Sequence, residues 1–151
     1  MTKRRILIVD DEKNIVSSLR SILADEGYEV ICAEDGLEAL DLIKSEPPDL
    51  VLLDIWIPGM DGIEVLRTIK TYSQEIGVLI MSGHASIDTA VKATKLGAID
   101  FIEKPFSYTQ LLQAVETAFM ETKTILPIHS QSFAEKADLL LCLKMMIEVK
   151  T

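Results

Sequence analysis

Four short apolar runs punctuate the chain, and each closes on polar residues. Ile6 to Val9 ends at Asp10 and Asp11, Leu50 to Leu53 at Asp54, and Val78 to Met81 at Ser82. The fourth, Ile99-Asp100-Phe101-Ile102, leads through Glu103 into Lys104-Pro105. Runs this short and this apolar predict strands buried on both faces, as in a parallel sheet. Tyr28 to Ala33 alternates instead, which is the pattern of an edge strand. Helical spacing fills the intervals. Ile15, Leu19, Ile22 and Leu23 share one face of a first helix, and Gly27 stops it. Asp35-Gly36-Leu37-Glu38 reads as a capping box ahead of Leu40 and Ile43, and Pro47-Pro48 ends that helix in an extended lead to the next strand. Asp61 can cap a third helix with Val65, Leu66 and Ile69 inward. Ser86 opens a fourth that closes near Gly97, with a small-residue inner face of Ala90, Ala93 and Thr94. Ser107 to Gln110 caps a fifth, whose face is Leu111, Leu112, Val115, Ala118 and Phe119.

Strand then helix, five times over, predicts an α/β domain with a doubly wound five-stranded parallel sheet, helices on both faces, and the flavodoxin-like order 2-1-3-4-5. In such sheets reactive groups collect beyond the carboxyl ends of the strands. Asp10, Asp11, Asp54, Ser82 and Lys104 are therefore expected at one edge. Carboxylates, a hydroxyl and an ammonium gathered there suit a magnesium ion and a phosphoryl group.

Composition narrows the setting. A chain of 151 residues that is 48% apolar has enough material for one domain with a real core. A net charge of -9 makes it a poor non-specific ligand for nucleic acid or an anionic membrane, so neither is an expected partner. No apolar stretch is long enough to span a bilayer. Charged Lys3, Arg4 and Arg5 lead straight into the first strand, unlike a signal peptide. Cys32 and Cys142 have neither metal-ligand spacing nor a disulfide framework, so a cytoplasmic location is expected.

Val9-Asp10-Asp11-Glu12, Leu53-Asp54 followed by Pro58-Gly59-Met60-Asp61-Gly62, Met81-Ser82-Gly83 and Lys104-Pro105-Phe106 occur in order, each at a strand end. Together they make residues 4 to about 120 resemble the receiver domain of bacterial two-component response regulators. The stretch from Ser82-Gly83-His84 to Lys104-Pro105 is most similar to receivers of the NtrC-type transcriptional activators. The resemblance implies that Asp54 is the phosphoacceptor for a sensor histidine kinase, and that Mg2+ is held by Asp10, Asp11, Asp54 and the backbone carbonyl of Trp56. It implies that Lys104 and Ser82 contact the phosphoryl oxygens, and that the bond before Pro105 is cis. It also implies a switch in which Ser82 moves toward the phosphoryl group and Phe101 turns inward, altering the surface of the fourth helix, fifth strand and fifth helix. Phe101 stands where many members carry Tyr, so no hydroxyl readout is available. Static core packing is the competing role for Phe101. His84 is expected to hydrogen-bond its surroundings and to influence dephosphorylation.

The receiver is expected over 1–121. Residues 122–151 fall outside its pattern: Pro127 lies in a polar linker, and Ser132 to Val149 reads as a helix with a broad apolar face. That helix could pack on its own domain, mediate a homodimer, or be the linker of a longer activator. It is too short and not basic enough for a helix-turn-helix module. Two rival functions share parts of the pattern. A phosphatase of the haloacid dehalogenase type needs a second acid two residues after its nucleophile, where this chain has Trp56. A flavodoxin-like nucleotide-binding module needs a phosphate loop where this chain has Asp10-Asp11-Glu12, whose charge repels phosphate without a metal.

Overall fold

The computed structural model of the chain describes residues 3–83 and 86–128, with side chains as far as residue 120. The elements are β1 (Arg5–Val9), α1 (Lys13–Asp25), β2 (Glu29–Ala33), α2 (Gly36–Ser45), β3 (Leu50–Asp54), α3 (Gly62–Tyr72), β4 (Gly77–Ser82), α4 (Ile87–Lys95), β5 (Asp100–Glu103) and α5 (Tyr108–Ile128). The chain divides into two units, Met1–Phe119 and Met120–Thr151. The described part of the second is helical as far as Ile128, so the linker expected from 122 begins as helix. The helix expected over 132–149 and the loop residue His84 lie outside the described residues.

All five strands are parallel in the order β2-β1-β3-β4-β5, as the alternation of elements predicts. Side chains of a strand alternate between faces, and both faces here are covered. Leu7, Val9, Val51, Leu53, Val78 and Ile80 pack toward α2 and α3 residues such as Ile43, Leu66 and Ile69. Ile6, Ile8, Leu50, Leu52, Leu79 and Met81 pack toward Leu19 and Leu23 of α1 and Leu111 and Val115 of α5. Two-sided burial is why the inner strands read as unbroken apolar runs. β2 is an edge strand, with four of its five residues half-buried rather than cleanly alternating.

The helix starts follow their caps. Asp35 accepts from the Glu38 N–H at 2.8 Å, while Glu38 reaches back to the Glu34 N–H at 2.9 Å. Asp61 accepts from Ile63 N–H, and Ser86 from Thr89 N–H. Gly27 and Gly97 end α1 and α4 with φ of 93° and 111°, a region open to glycine at little cost. The inner face of α4 departs from expectation. Ala93 is buried and Ala90 half-buried, but Thr94 is exposed and bonds back to the Ala90 carbonyl at 2.9 Å. Leu96 and Ala98 take over the packing beyond the end of the helix.

Gly62 fixes the loop beyond β3. Its N–H donates to the Ile55 carbonyl at 3.2 Å, and a Cβ there would fall 2.5 Å from Ile55 Cα and 2.6 Å from its oxygen. The clash is with backbone, so no side-chain rotation relieves it. Gly62→Ala should destabilise the domain by about 2 kcal/mol or more, read as a lower urea midpoint. An unchanged midpoint would mean that α3 can slide away from Ile55.

Candidate functional site

Register brings the strand ends together. Val9 pairs with Leu53, Asp54 with Met81, and Ser82 with Glu103. The residues that end or follow β1, β3, β4 and β5 therefore share one edge: Asp10, Asp54, Ser82 and Lys104. Asp10 is fully buried; its N–H donates to the Ala33 carbonyl, and its Oδ1 accepts from the Glu12 N–H at 2.9 Å. Asp54 is 5% exposed, and its Oδ1 accepts from the Trp56 N–H at 3.0 Å. The Lys104 backbone is tied to β4 by a 2.9 Å bond from its N–H to the Ser82 carbonyl, and the peptide to Pro105 is cis, as the resemblance implied. The Lys104 ammonium lies 2.7 Å from Asp10 Oδ2, 2.9 Å from Asp54 Oδ2 and 3.5 Å from Glu12 Oε1.

These groups open into a cleft of about 730 Å³, which Asp11, Glu12, Asp54, Trp56, Gly83 and Lys104 help to line. Asp11 is exposed at its rim. Trp56 is exposed too, and its backbone N–H is bonded to Asp54. Ser82 is fully buried at the end of β4. Phe101 sits half-buried in β5, opposite Ile80, against the apolar layer that includes Ala93 of α4.

Burial drives the electrostatics. It raises the Asp54 carboxyl above the usual range; the hydrogen bonds from Lys104 and the Trp56 N–H pull the other way without cancelling it. Burial alone would lower Lys104, but its bonds to Asp10 and Asp54 prevail and hold the ammonium above its ordinary value. Carboxylate oxygens of Asp10, Glu12 and Asp54 all lie within 4.8 Å of one another. Three carboxylates against one ammonium, all oxygen donors and two of them buried, fit a hard divalent cation of the magnesium kind. Glu12 enters this set although sequence reading gave it no role. Its signal was an acid at the position just before α1, where its side chain forms no cap.

Comparison with known proteins identifies the class. Residues 6–116 match the model of the response regulator receiver domain, and the chain belongs to that family. It is a signalling phosphoacceptor domain of two-component systems rather than a metabolic enzyme. It is 42% identical over 116 residues to sporulation initiation phosphotransferase F of Bacillus subtilis, covering 77% of this chain and 94% of that protein. It is 48% identical over 115 residues to the nitrogen assimilation regulatory protein NtrX of Azorhizobium caulinodans, covering 75% of this chain but only 25% of NtrX. Among solved structures, NtrX of Brucella abortus superposes with a TM-score of 0.79 at 42% identity, over 85% of this chain and 30% of that one. The beryllofluoride-activated NtrC4 receiver domain dimer superposes at 0.75 with 44% identity, over 78% and 98%. The NtrC-type resemblance read from the sequence holds, and the phosphatase and flavodoxin-like readings are set aside.

The raised Asp54 carboxyl makes a stability prediction for the metal-free protein. A group whose value rises on folding favours the fold below its unfolded value, and loses that contribution as pH climbs through the folded one. Asp54→Asn should therefore match wild type in acid and exceed it by about 1 kcal/mol at neutral pH, by chemical denaturation in a chelator. A variant less stable than wild type at neutral pH would show that the Lys104 pairing outweighs the cost of burial.

Proposed function

We propose that Asp54 accepts a phosphoryl group from a phosphohistidine of a sensor histidine kinase in a magnesium-dependent reaction. The observation that carries this reading is the Lys104 ammonium set between two buried carboxylates, 2.7 Å from Asp10 and 2.9 Å from Asp54. A carboxylate oxygen of Asp54 attacks phosphorus, and the P–N bond breaks with its electron pair on the departing imidazole, which takes up a proton. The Trp56 N–H orients the nucleophile through Oδ1. Lys104 follows the incoming charge as a mobile point cation. The Ser82 hydroxyl donates to a phosphoryl oxygen. Asp10 and Asp54, with Asp11 at the rim and the Trp56 carbonyl, are the groups that would hold Mg2+. The cation supplies charge neutralisation between anionic nucleophile and anionic donor. Water later hydrolyses the acyl phosphate slowly, which resets the domain.

Phosphorylation adds charge and acceptor oxygens beside the end of β4. Ser82 moves to the phosphoryl group, Phe101 turns into the space released, and the α4-β5-α5 surface changes. Ile87 and Val91 of α4 are 83% and 46% exposed, which gives that surface apolar area for a homodimer. The dimer of the similar NtrC4 receiver supports this output. The receiver is assigned to 1–121, with 122–151 as linker and C-terminal helix, and the setting is the cytoplasm. Among the described residues, no helix is long and apolar enough to cross a membrane.

Incubation with magnesium and acetyl phosphate should add one phosphoryl group by intact-mass spectrometry. Chelation should abolish the adduct, and so should Asp54→Ala. Lys104→Ala should slow its formation by at least about tenfold, in line with loss of one charge-stabilising group. An adduct that survives Asp54→Ala would move the acceptor elsewhere.

A further inference from the structure

Lys104 and a divalent cation compete for the same two carboxylates. The ammonium has three protons to donate, and its bonds to Asp10 and Asp54 use two of them. A cation drawn to those oxygens must push Lys104 aside, yet the lysine has to remain in the cleft for the phosphoryl group. The third carboxylate within its reach is Glu12, 3.5 Å from Nζ.

The backbone explains why Glu12 can serve. It stands at the N-cap of α1, with φ -85° and ψ 107°, and its side chain makes no cap bond. Asp, Asn, Ser or Thr at that position would normally cap the helix, which is worth about 1 kcal/mol. Glu forgoes that bond. Its extra methylene carries the carboxylate across the cleft, and it stays 61% exposed at the side chain. The Glu12 N–H meanwhile holds Asp10 Oδ1 at 2.9 Å, so the same residue aligns one buried acid and faces the lysine.

We propose that Glu12 is a positioning residue for Lys104, a resting partner that receives the ammonium when a divalent cation takes Asp10 and Asp54. It thereby eases cation entry and keeps the lysine at the mouth of the cleft. This role rests on the magnesium-dependent reading above. It goes beyond the ligand set, because Glu12 acts through Lys104 rather than on the metal.

The test is Mg2+ titration followed by fluorescence of Trp56, the only tryptophan in the chain, which lines the cleft. Glu12→Gln keeps the length and removes the charge; it should weaken Mg2+ binding about three- to fivefold, the scale of one exposed ion pair. The same change in a Lys104→Met background should have little effect, because the group it serves is gone. An undiminished effect in that background would make Glu12 a plain ligand or field charge and overturn the proposal. Glu12→Asp separates reach from charge without removing the lysine. It should weaken Mg2+ binding as Glu12→Gln does, while raising the thermal midpoint through a restored cap. Wild-type affinity in either Glu12→Asp or Glu12→Gln would also overturn it. A wild-type protein with no Mg2+ response at all would instead sink the parent reading, so the two failures are distinct.

Discussion

One ammonium holds the functional end of this domain together. Lys104 is 94 residues from Asp10 and 50 from Asp54 in sequence, and it bonds to both. Two buried carboxylates this near each other repel strongly and would each carry a desolvation cost. The lysine offsets part of that cost and leaves a deficit of positive charge. Burial raises the Asp54 carboxyl, and the bonds from Lys104 and the Trp56 N–H do not cancel that rise. A site that is underneutralised at rest is suited to take up a cation and then to spend that charge on an incoming phosphoryl group.

The sheet is what makes such a site affordable. Parallel register puts the carboxyl ends of β1, β3 and β4 side by side, while the cores on both faces of the sheet are apolar and fully buried. Apolar burial is concentrated below the site, and buried polar groups, Asp10, Asp54 and Ser82, at its edge. Gly62 serves the same division. By admitting the Ile55 backbone at contact distance, it folds the loop after Asp54 back on itself. A larger residue there would press against the chain that carries the nucleophile.

The fold was legible because its signals are local and mutually consistent: apolar runs, caps at Asp35, Asp61 and Ser86, stops at Gly27 and Gly97. The gathering of Asp10, Asp54, Ser82 and Lys104 was legible too, since each stands at a strand end and strand ends share an edge. What escaped were distances that depend on side-chain reach. Nothing in the sequence distinguishes Asp11, exposed at the rim, from Glu12, also exposed but with its carboxylate 3.5 Å from Lys104 Nζ. Thr94 was placed inward by helical period alone, but it lies exposed near the end of α4 and its hydroxyl bonds back to the Ala90 carbonyl instead. Gly62 was quoted as part of a motif; its reason, the Ile55 backbone, is tertiary and has no trace in composition.

The weak anchoring of α4 has a functional side. Ala93 is the one buried residue of its nine, whereas α3 buries five of eleven. Elements with little buried apolar contact open at low free energy, and switching segments are drawn from them. The far end of α4 is better held: Lys70 of α3 lays its stem along Gly97 and donates to the Ile76 carbonyl at 2.7 Å, burial lowering its pKa. The end near the cleft begins at Ser86, four residues past Ser82 on the same strand exit. A helix held beyond its C-terminus and lightly packed along its length is freest at its N-terminal end. In the proposed mechanism, charge arriving on Asp54 would act first on the lightly packed start of α4, and the exposed Ile87 would travel with it.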